Sequence, residues 1–289
     1  MEKIKVAFID FWPEITQENI FLPILRRYFD VEETSVNPDV VFHSIFGGMK
    51  ETPKYNCKMI LFLGENHRPS SFKTDYSISF DPHTEKNYRL PLWQVYLIIN
   101  PMLKEKLFGP RINHKAFDNF CSFTVSNSGN SDRNNFFHHL NTYKKVKSYG
   151  RCMPNDLSLI KASENRYWRD AKYEFFLKNT HKYAIAFENN SYPYYTTEKL
   201  MDAFLAGSMP IYRGDPKVKE DWNVNAFINA NKGLDYALNK IKEMEYWEEG
   251  IENSFSNRYT EPIFTPEQKE RHLNNMNDFE TWLINVIKK

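Results

Sequence analysis

A chain of 289 residues can hold one large domain or two ordinary ones. Its 38 Lys+Arg against 37 Asp+Glu leave a net charge of +1, which excludes a general electrostatic draw to nucleic acid and makes any phosphate recognition local. Three widely spaced cysteines, Cys57, Cys121 and Cys152, favour reduced thiols of a cytosolic protein over a disulfide framework.

The first residues, "MEKIKVAFIDFW", enter a strand pattern at once, with no apolar core of signal-peptide length, and no apolar run is long enough to span a bilayer. The expectation is a soluble protein, at most peripheral to a membrane. Apolar runs of strand length follow at 4–9, 39–46, 58–63, 76–80 and 121–125, with helical spacing at Ile20, Leu25 and Phe29 between the first two. Such alternation predicts a mostly parallel sheet covered by helices. The basic, polar segment "TYKKVKSYGR" (142–151) interrupts the pattern and reads as the passage from one domain to the next. A helix over 165–179, a strand at 226–230 and a helix over 233–244 come later. The last segment, 271–289, spaces Leu273, Met276, Phe279, Leu283, Val286 and Ile287 as a helix of mixed surface charge, packed on the domains.

Residues 187–216, "FENNSYPYYTTEKLMDAFLAGSMPIYRGDP", form the most informative stretch. The apolar run at 182–187 reads as a buried strand; from Thr197 the spacing of Leu200, Ala203 and Phe204 becomes helical, with Thr197 as N-cap and Gly207 as stop; a second strand follows at 209–212. This is a βαβ unit, whose helix start lies at the carboxyl end of the first strand, where open α/β sheets bind ligands. Lys199 sits in the first helical turn, where the helix dipole repels a cation by roughly 0.3–1 kcal/mol. A phosphate oxygen would reverse that penalty.

Further polar groups share this address after strand ends. Glu65 follows the strand at 58–63, Asn127 and Arg133 follow 121–125, and Glu188 and Asn189 follow 182–187. Cations and helix N–H groups can hold a diphosphate leaving group while a carboxylate takes the proton of an acceptor hydroxyl, as transfer from a sugar nucleotide requires. The sequence contains no Asp-x-Asp, no Walker motif, no G-x-G-x-x-G, no G-x-S-x-G and no H-E-x-x-H, and its eight histidines are scattered, so no metal ligands are assigned.

At these residues the sequence resembles the bacterial α-1,3-fucosyltransferases of glycosyltransferase family 10. The match is densest over 187–223, where Phe-Glu-Asn precedes a Tyr-x-Thr-Glu-Lys helix start and a Pro-Ile-Tyr strand, and weaker over 60–65, 75–81, 88–93 and 120–127. The resemblance implies an α/β fold of the GT-B architecture, two Rossmann-like domains facing across a cleft. On that reading residues 1–145 form an acceptor-binding domain, 146–265 a GDP-fucose-binding domain and 266–289 a terminal helix. It implies inverting transfer of fucose from GDP-fucose to a hydroxyl of an N-acetylglucosamine- or glucose-containing glycan such as N-acetyllactosamine. Asn189, Tyr195, Glu198 and Lys199 would bind the donor, Arg133 and Lys199 would contact its diphosphate, and Glu65 would be the catalytic base, with Glu198 the alternative base. No obligatory metal is expected, only stimulation by Mn2+ or Mg2+ at most. The reaction is expected in the cytoplasm or peripherally at the inner membrane.

The chain lacks the heptad repeats and basic amphipathic tail of some family members, so dimerisation and membrane attachment are not carried over. Two rival readings remain at this point. One is a GT-B transferase for another GDP-sugar or linkage, and the other is a non-catalytic carbohydrate-binding protein.

Overall fold

In the computed structural model, which describes residues 1–11, 17–48, 54–112, 114, 116–250 and 260–289, the apolar runs become two parallel sheets. The first contains β1 (Glu2–Ile9), β2 (Phe29–Glu33), β3 (Val40–His43), β4 (Lys58–Phe62), β5 (Tyr76–Ser79) and β6 (Asn87–Arg89), in the order β2-β1-β3-β4-β5-β6. The second contains β7 (Asn119–Phe123), β8 (Val146–Ser148), β9 (His181–Phe187), β10 (Met209–Arg213) and β11 (Ile228–Asn229), in the order β11-β10-β9-β7-β8. The central strands are buried almost throughout, β3 and β9 above all, which is why they read as near-continuous apolar runs.

The chain divides into two compact units, residues 1–101 with 270–289, and residues 102–269. In the first, α1 (Gln17–Leu25) sends Phe21 against Phe8, Phe42 and Phe62, with the Phe21 and Phe42 centroids 4.7 Å apart. Helix α2 (Leu92–Ile99) follows β6. Most of the last long helix, which runs over Pro266–Lys288 and is α9 in the numbering below, also belongs here: Phe279 and Trp282 pack on Tyr88. Its end is held by Lys58, whose Nζ donates to the carbonyls of Val286 and Ile287 at 2.9 and 2.8 Å and supplies partners that the last turn cannot find within the helix.

In the second unit the strands are flanked by α3 (Pro101–Phe108), α4 (Ser131–Tyr143), α5 (Ser158–Ala162), α6 (Trp168–Lys178), α7 (Lys199–Leu205) and α8 (Leu234–Gly250), ahead of α9. One face packs Phe123, Ile185, Phe187 and Ile211 with Phe136 and Phe137 of α4 and Ile241 of α8. The other face carries α6 and α7, where Tyr149, Phe175, Phe176 and Ala206 cluster and Phe204 stacks on Trp222.

Two expectations shift. Phe29 does not extend α1; it opens β2, paired in register with Glu2, because the helix ends at Leu25. The expected domain boundary at 145/146 falls inside the second sheet. Residues 142–151 hold the end of α4 and β8, where Val146 and Ser148 are buried and only Lys147 looks outward, so a segment that reads as a linker is an edge strand. Since β7 pairs with both β8 and β9, the described residues from β7 onward up to 269 belong with the second sheet, and the terminal segment 270–289 folds with the first.

Candidate active site

In the second sheet the crossover from β7 leads through α4 outward to β8, whereas β9 returns to the opposite side of β7 and continues through α7 to β10. The direction of winding therefore reverses between β7 and β9. At such a switch point the loops after the two strands part and leave a crevice at their carboxyl ends. The loops in question are 124–130 and 188–198, and they carry most of the residues singled out from sequence.

The loop after β9 is held from many sides. The Tyr194 N–H donates to Asp215 Oδ1 at 2.7 Å, the Thr196 hydroxyl donates to Asp221 at 2.9 Å, and the Ser191 hydroxyl donates to the Gly214 carbonyl at 2.6 Å. Tyr194 has φ = 69°, a left-handed conformation that costs a non-glycine residue energy and is kept here by these bonds. From the β7 side Asn130, the N-cap of α4, donates its amide to the carbonyls of Glu188 and Asn189.

Arg133, in the first turn of α4, is 1% exposed. Its guanidinium donates to Asn189 Oδ1 at 2.9 Å, to the Phe187 carbonyl at 3.4 Å and to the Asn127 carbonyl, and burial lowers its pKa. It clamps the two loops together. Its side chain is covered, with both terminal nitrogens engaged by loop acceptors, while Nε has no partner among the described residues. Tyr195 is also fully buried, so it supports the loop from within. Asn189 is exposed and accepts from Arg133, which places it at the rim.

Lys199 answers the charge question in an unexpected way. Its ammonium stands 3.0 Å from Glu188 Oε2, 3.5 Å from Glu198 Oε1 and 2.8 Å from the Thr197 hydroxyl oxygen. Glu188, 1% exposed, also accepts from the Thr197 N–H at 2.8 Å and from its hydroxyl at 2.6 Å. Thr197 is thus not the N-cap of α7: Glu198 occupies that position without a side-chain cap, and the Thr197 hydroxyl is turned to Glu188. Burial raises the Glu188 carboxyl above its usual range against the pull of Lys199. For Lys199 burial acts downward, and Glu188 and Glu198 outweigh it, so its pKa is raised.

Glu198 differs from Glu188. Burial pushes it up, but Lys199, Arg169 and Lys172 outweigh burial and hold it down to about 2. A carboxylate so stabilised has little affinity for a proton, which argues against Glu198 as general base. Arg169 and Lys172 of α6 pair with Asp202 of α7 at 3.1 and 2.7 Å. Lys172, Asp202 and Lys199 line a space of about 460 Å³, part of it open to solvent, whose floor is Ala184 and Ala186 of β9 with Ser122 of β7. Small residues at alternate positions of β9 leave that room under α6 and α7.

The structure therefore brings Arg133, Glu188, Asn189, Tyr195, Glu198 and Lys199 together in one unit. Glu65 belongs to the other unit, half-buried just beyond β4, on a loop where Arg68 bridges Asn66 and Asp81. The buried acceptor role of Glu188 and the α6 cations Arg169 and Lys172 escaped the sequence reading. For Glu188 the sequence did carry a signal, a carboxylate placed directly after a fully apolar strand. For the α6 cations it was their i, i+3 spacing opposite Glu198 and Asp202. Among the described residues no group of three or more His, Cys, Asp or Glu side chains is placed to hold a metal ion.

Two parallel α/β units of this kind are the GT-B fold. Solved structures titled α1,3-fucosyltransferase match the whole chain and 91% of their own, one with GDP-fucose at TM-score 0.69 and 19% identity, another at 0.70 and 21%. The α-(1,3)-fucosyltransferase FucT N-terminal domain model matches residues 6–96, and the C-terminal model of glycosyltransferase family 10 (fucosyltransferase) matches 115–246. The chain belongs to glycosyltransferase family 10. It is 25% identical over 281 residues to the α-(1,3)-fucosyltransferase FucT of Helicobacter pylori, covering 83% of this chain and 56% of that protein. It is also 29% identical over 187 residues to human GDP-fucose protein O-fucosyltransferase 3, covering 63% of this chain and 35% of the relative. The chain thus spans about half the length of one curated relative and about a third of the other.

Proposed function

We propose that the chain transfers L-fucose from GDP-fucose to a hydroxyl of a glycan containing N-acetylglucosamine or glucose, with α-1,3 linkage and inversion at the anomeric carbon. The observation that carries this reading is the placement of Lys199 and Glu198 at the β7/β9 switch point, inside the region matched by the fucosyltransferase C-terminal model. In it Lys199 stabilises the charge that develops on the departing GDP, as a fixed cation does best in a partly desolvated site. Glu198, ionised at every physiological pH, accepts hydrogen bonds from sugar hydroxyls. Arg133 acts through Asn189, by holding it at the rim. Glu65 removes the proton of the acceptor hydroxyl as fucose C1 gains oxocarbenium character, in a single displacement.

A glycan acceptor is favoured over a protein acceptor because the FucT-type N-terminal model also matches, over residues 6–96. All three cysteines are free, which suits a reducing cytoplasm, and among the described residues no helix is long and apolar enough to cross a membrane. The test is mass-spectrometric detection of transfer from GDP-fucose to N-acetyllactosamine by wild type and Glu65→Gln. Product from wild type, reduced at least about 100-fold in the variant as expected for loss of a general base, supports the reading. Near-normal turnover by Glu65→Gln removes Glu65 from the mechanism, and GDP binding without product redirects the search to other acceptors and GDP-sugars.

A further inference from the structure

A lysine that is to meet a ligand anion has to be kept available and in place, and the surroundings of Lys199 show what does this. Its ammonium has three hydrogens and faces three oxygens, two at short range from Glu188 and Thr197 and one, from Glu198, at 3.5 Å. The Thr197 hydroxyl donates its only proton to Glu188 Oε2 at 2.6 Å, so toward Lys199 it can act solely as acceptor. Glu188 thus takes up the hydroxyl proton and leaves the lone pairs of Thr197 Oγ1 to the ammonium, which can only donate. That carboxylate also binds the Thr197 backbone N–H, fixing the residue two before the lysine.

Room for this arrangement is provided at Gly214. A Cβ there would come within 2.4 Å of Glu188 Cγ and 2.8 Å of its Cβ, so the turn after β10 passes too close to Glu188 for any side chain. Neighbouring charges complete the setting. Glu188 faces Lys199 and Glu198 from α7, and Arg133 from α4 contributes a further positive charge. The loose contact to Glu198 is the one that an incoming anion can replace while Glu188 and Thr197 keep the ammonium fixed.

We propose that Glu188 is a positioning residue of the site, a buried carboxylate that works through the Thr197 hydroxyl to fix the Lys199 ammonium where the donor's diphosphate binds. The proposal rests on the donor reading above for the identity of the anion, but not for the placement of the lysine. A glutamine at 188 keeps an acceptor for the Thr197 N–H and turns an amide N–H2 toward the ammonium, which drives Lys199 away.

The decisive measurement is the rate at which an N-hydroxysuccinimide ester acylates Lys199 in the intact protein at pH 8, followed by quantitative mass spectrometry. Lys199 in Glu188→Gln is expected to react at least about tenfold faster than in wild type, as its raised pKa relaxes toward that of a free amine. Equal rates in the two proteins overturn the proposal. Should Glu188→Gln fail to fold, Thr197→Val decides, because it removes only the bridging hydroxyl. Faster labelling of Lys199 in Thr197→Val supports the proposal, and an unchanged rate overturns it.

A second arm measures GDP binding by calorimetry in wild type, Glu188→Gln, Lys199→Met and the double variant. Weaker binding in Glu188→Gln that vanishes as an effect once Lys199 is methionine shows that Glu188 acts through Lys199, whereas additive losses assign it a merely structural role. Wild type that does not bind GDP removes the donor reading alone, and the labelling result still decides the role of Glu188.

Discussion

Replacing Lys199 by methionine keeps the bulk of the side chain and deletes its charge. At an effective dielectric near 20, an ion pair at 3.0 or 3.5 Å is worth about 5 kcal/mol of gross attraction, most of it offset by the cost of dehydrating the partners. Removing one member of a buried pair is a different matter, because the remaining carboxylate stays dehydrated. With Lys199 18% exposed, the lower end of the usual range applies, about 3 kcal/mol at neutral pH.

The loss depends on pH. Without Lys199 the Glu188 carboxyl, already raised by burial, rises further above its value in the unfolded chain. The folded protein then holds a proton that the unfolded chain has released, and stability falls as pH climbs above the ordinary carboxyl range near 4.5. Urea unfolding should therefore show a larger deficit at pH 7.5 than at pH 5.5. Losing a charge-assisted bond to phosphate, about 1.5–3 kcal/mol, should weaken GDP binding about 10- to 150-fold in calorimetry. A deficit equal at both pH values together with GDP affinity within twofold of wild type would refute the reasoning.

Arg133→Lys should lower stability by about 2–4 kcal/mol, because an ammonium cannot reach the three acceptors that the guanidinium fork serves at Asn127, Phe187 and Asn189; an unchanged urea midpoint would contradict this. His43 and His181 are buried and neutral, their pKa values lowered by burial from 6.5 to about 4, so the unfolded chain takes up protons that the folded one refuses. Stability should decline as pH falls from about 6.5 toward 4, and His181→Gln should flatten that slope; a flat wild-type profile would count against it. Below that window Glu198 continues the trend, since its stabilising charge is lost only as pH falls from 4.5 to about 2. Fucosyl transfer should persist in EDTA with modest stimulation at most by Mn2+, and complete loss restored by manganese would show that a metal is required.

Much of the fold could be read along the chain because it depends on local periodicity. The runs at 4–9, 39–46, 58–63, 76–80 and 182–187 coincide to within two or three residues at either end with β1, β3, β4, β5 and β9, and Gly207, with φ = 70°, ends α7 as a left-handed stop should. Strands β2, β6 and β8 escaped because each is short and mixes polar with apolar residues; nothing in "FDVEE", "NYR" or "VKS" announces a strand until a partner supplies its hydrogen bonds. The domain boundary was displaced for the same reason: β8 reads as a linker unless β7 is beside it.

The site divides along similar lines. That Glu188, Asn189, Glu198, Lys199 and Arg133 follow strand ends is a property of sequence order, and parallel sheets place ligand-binding groups there whatever their detailed packing. Which of these groups face outward was decided only by tertiary structure. Arg133 and Tyr195 read as ligand contacts and prove to be almost wholly buried, and Glu188, one polar residue among several in "FENN", pairs with the lysine. Glu198 and Glu188 stand ten residues apart with opposite shifts. Lys199 lies beside both, and the charges that hold Glu198 down arrive also from Arg169 and Lys172 of α6, 29 and 26 residues earlier in the chain. Periodicity and motif order are carried by neighbours along the chain, whereas burial and the balance of charge are set by neighbours in space.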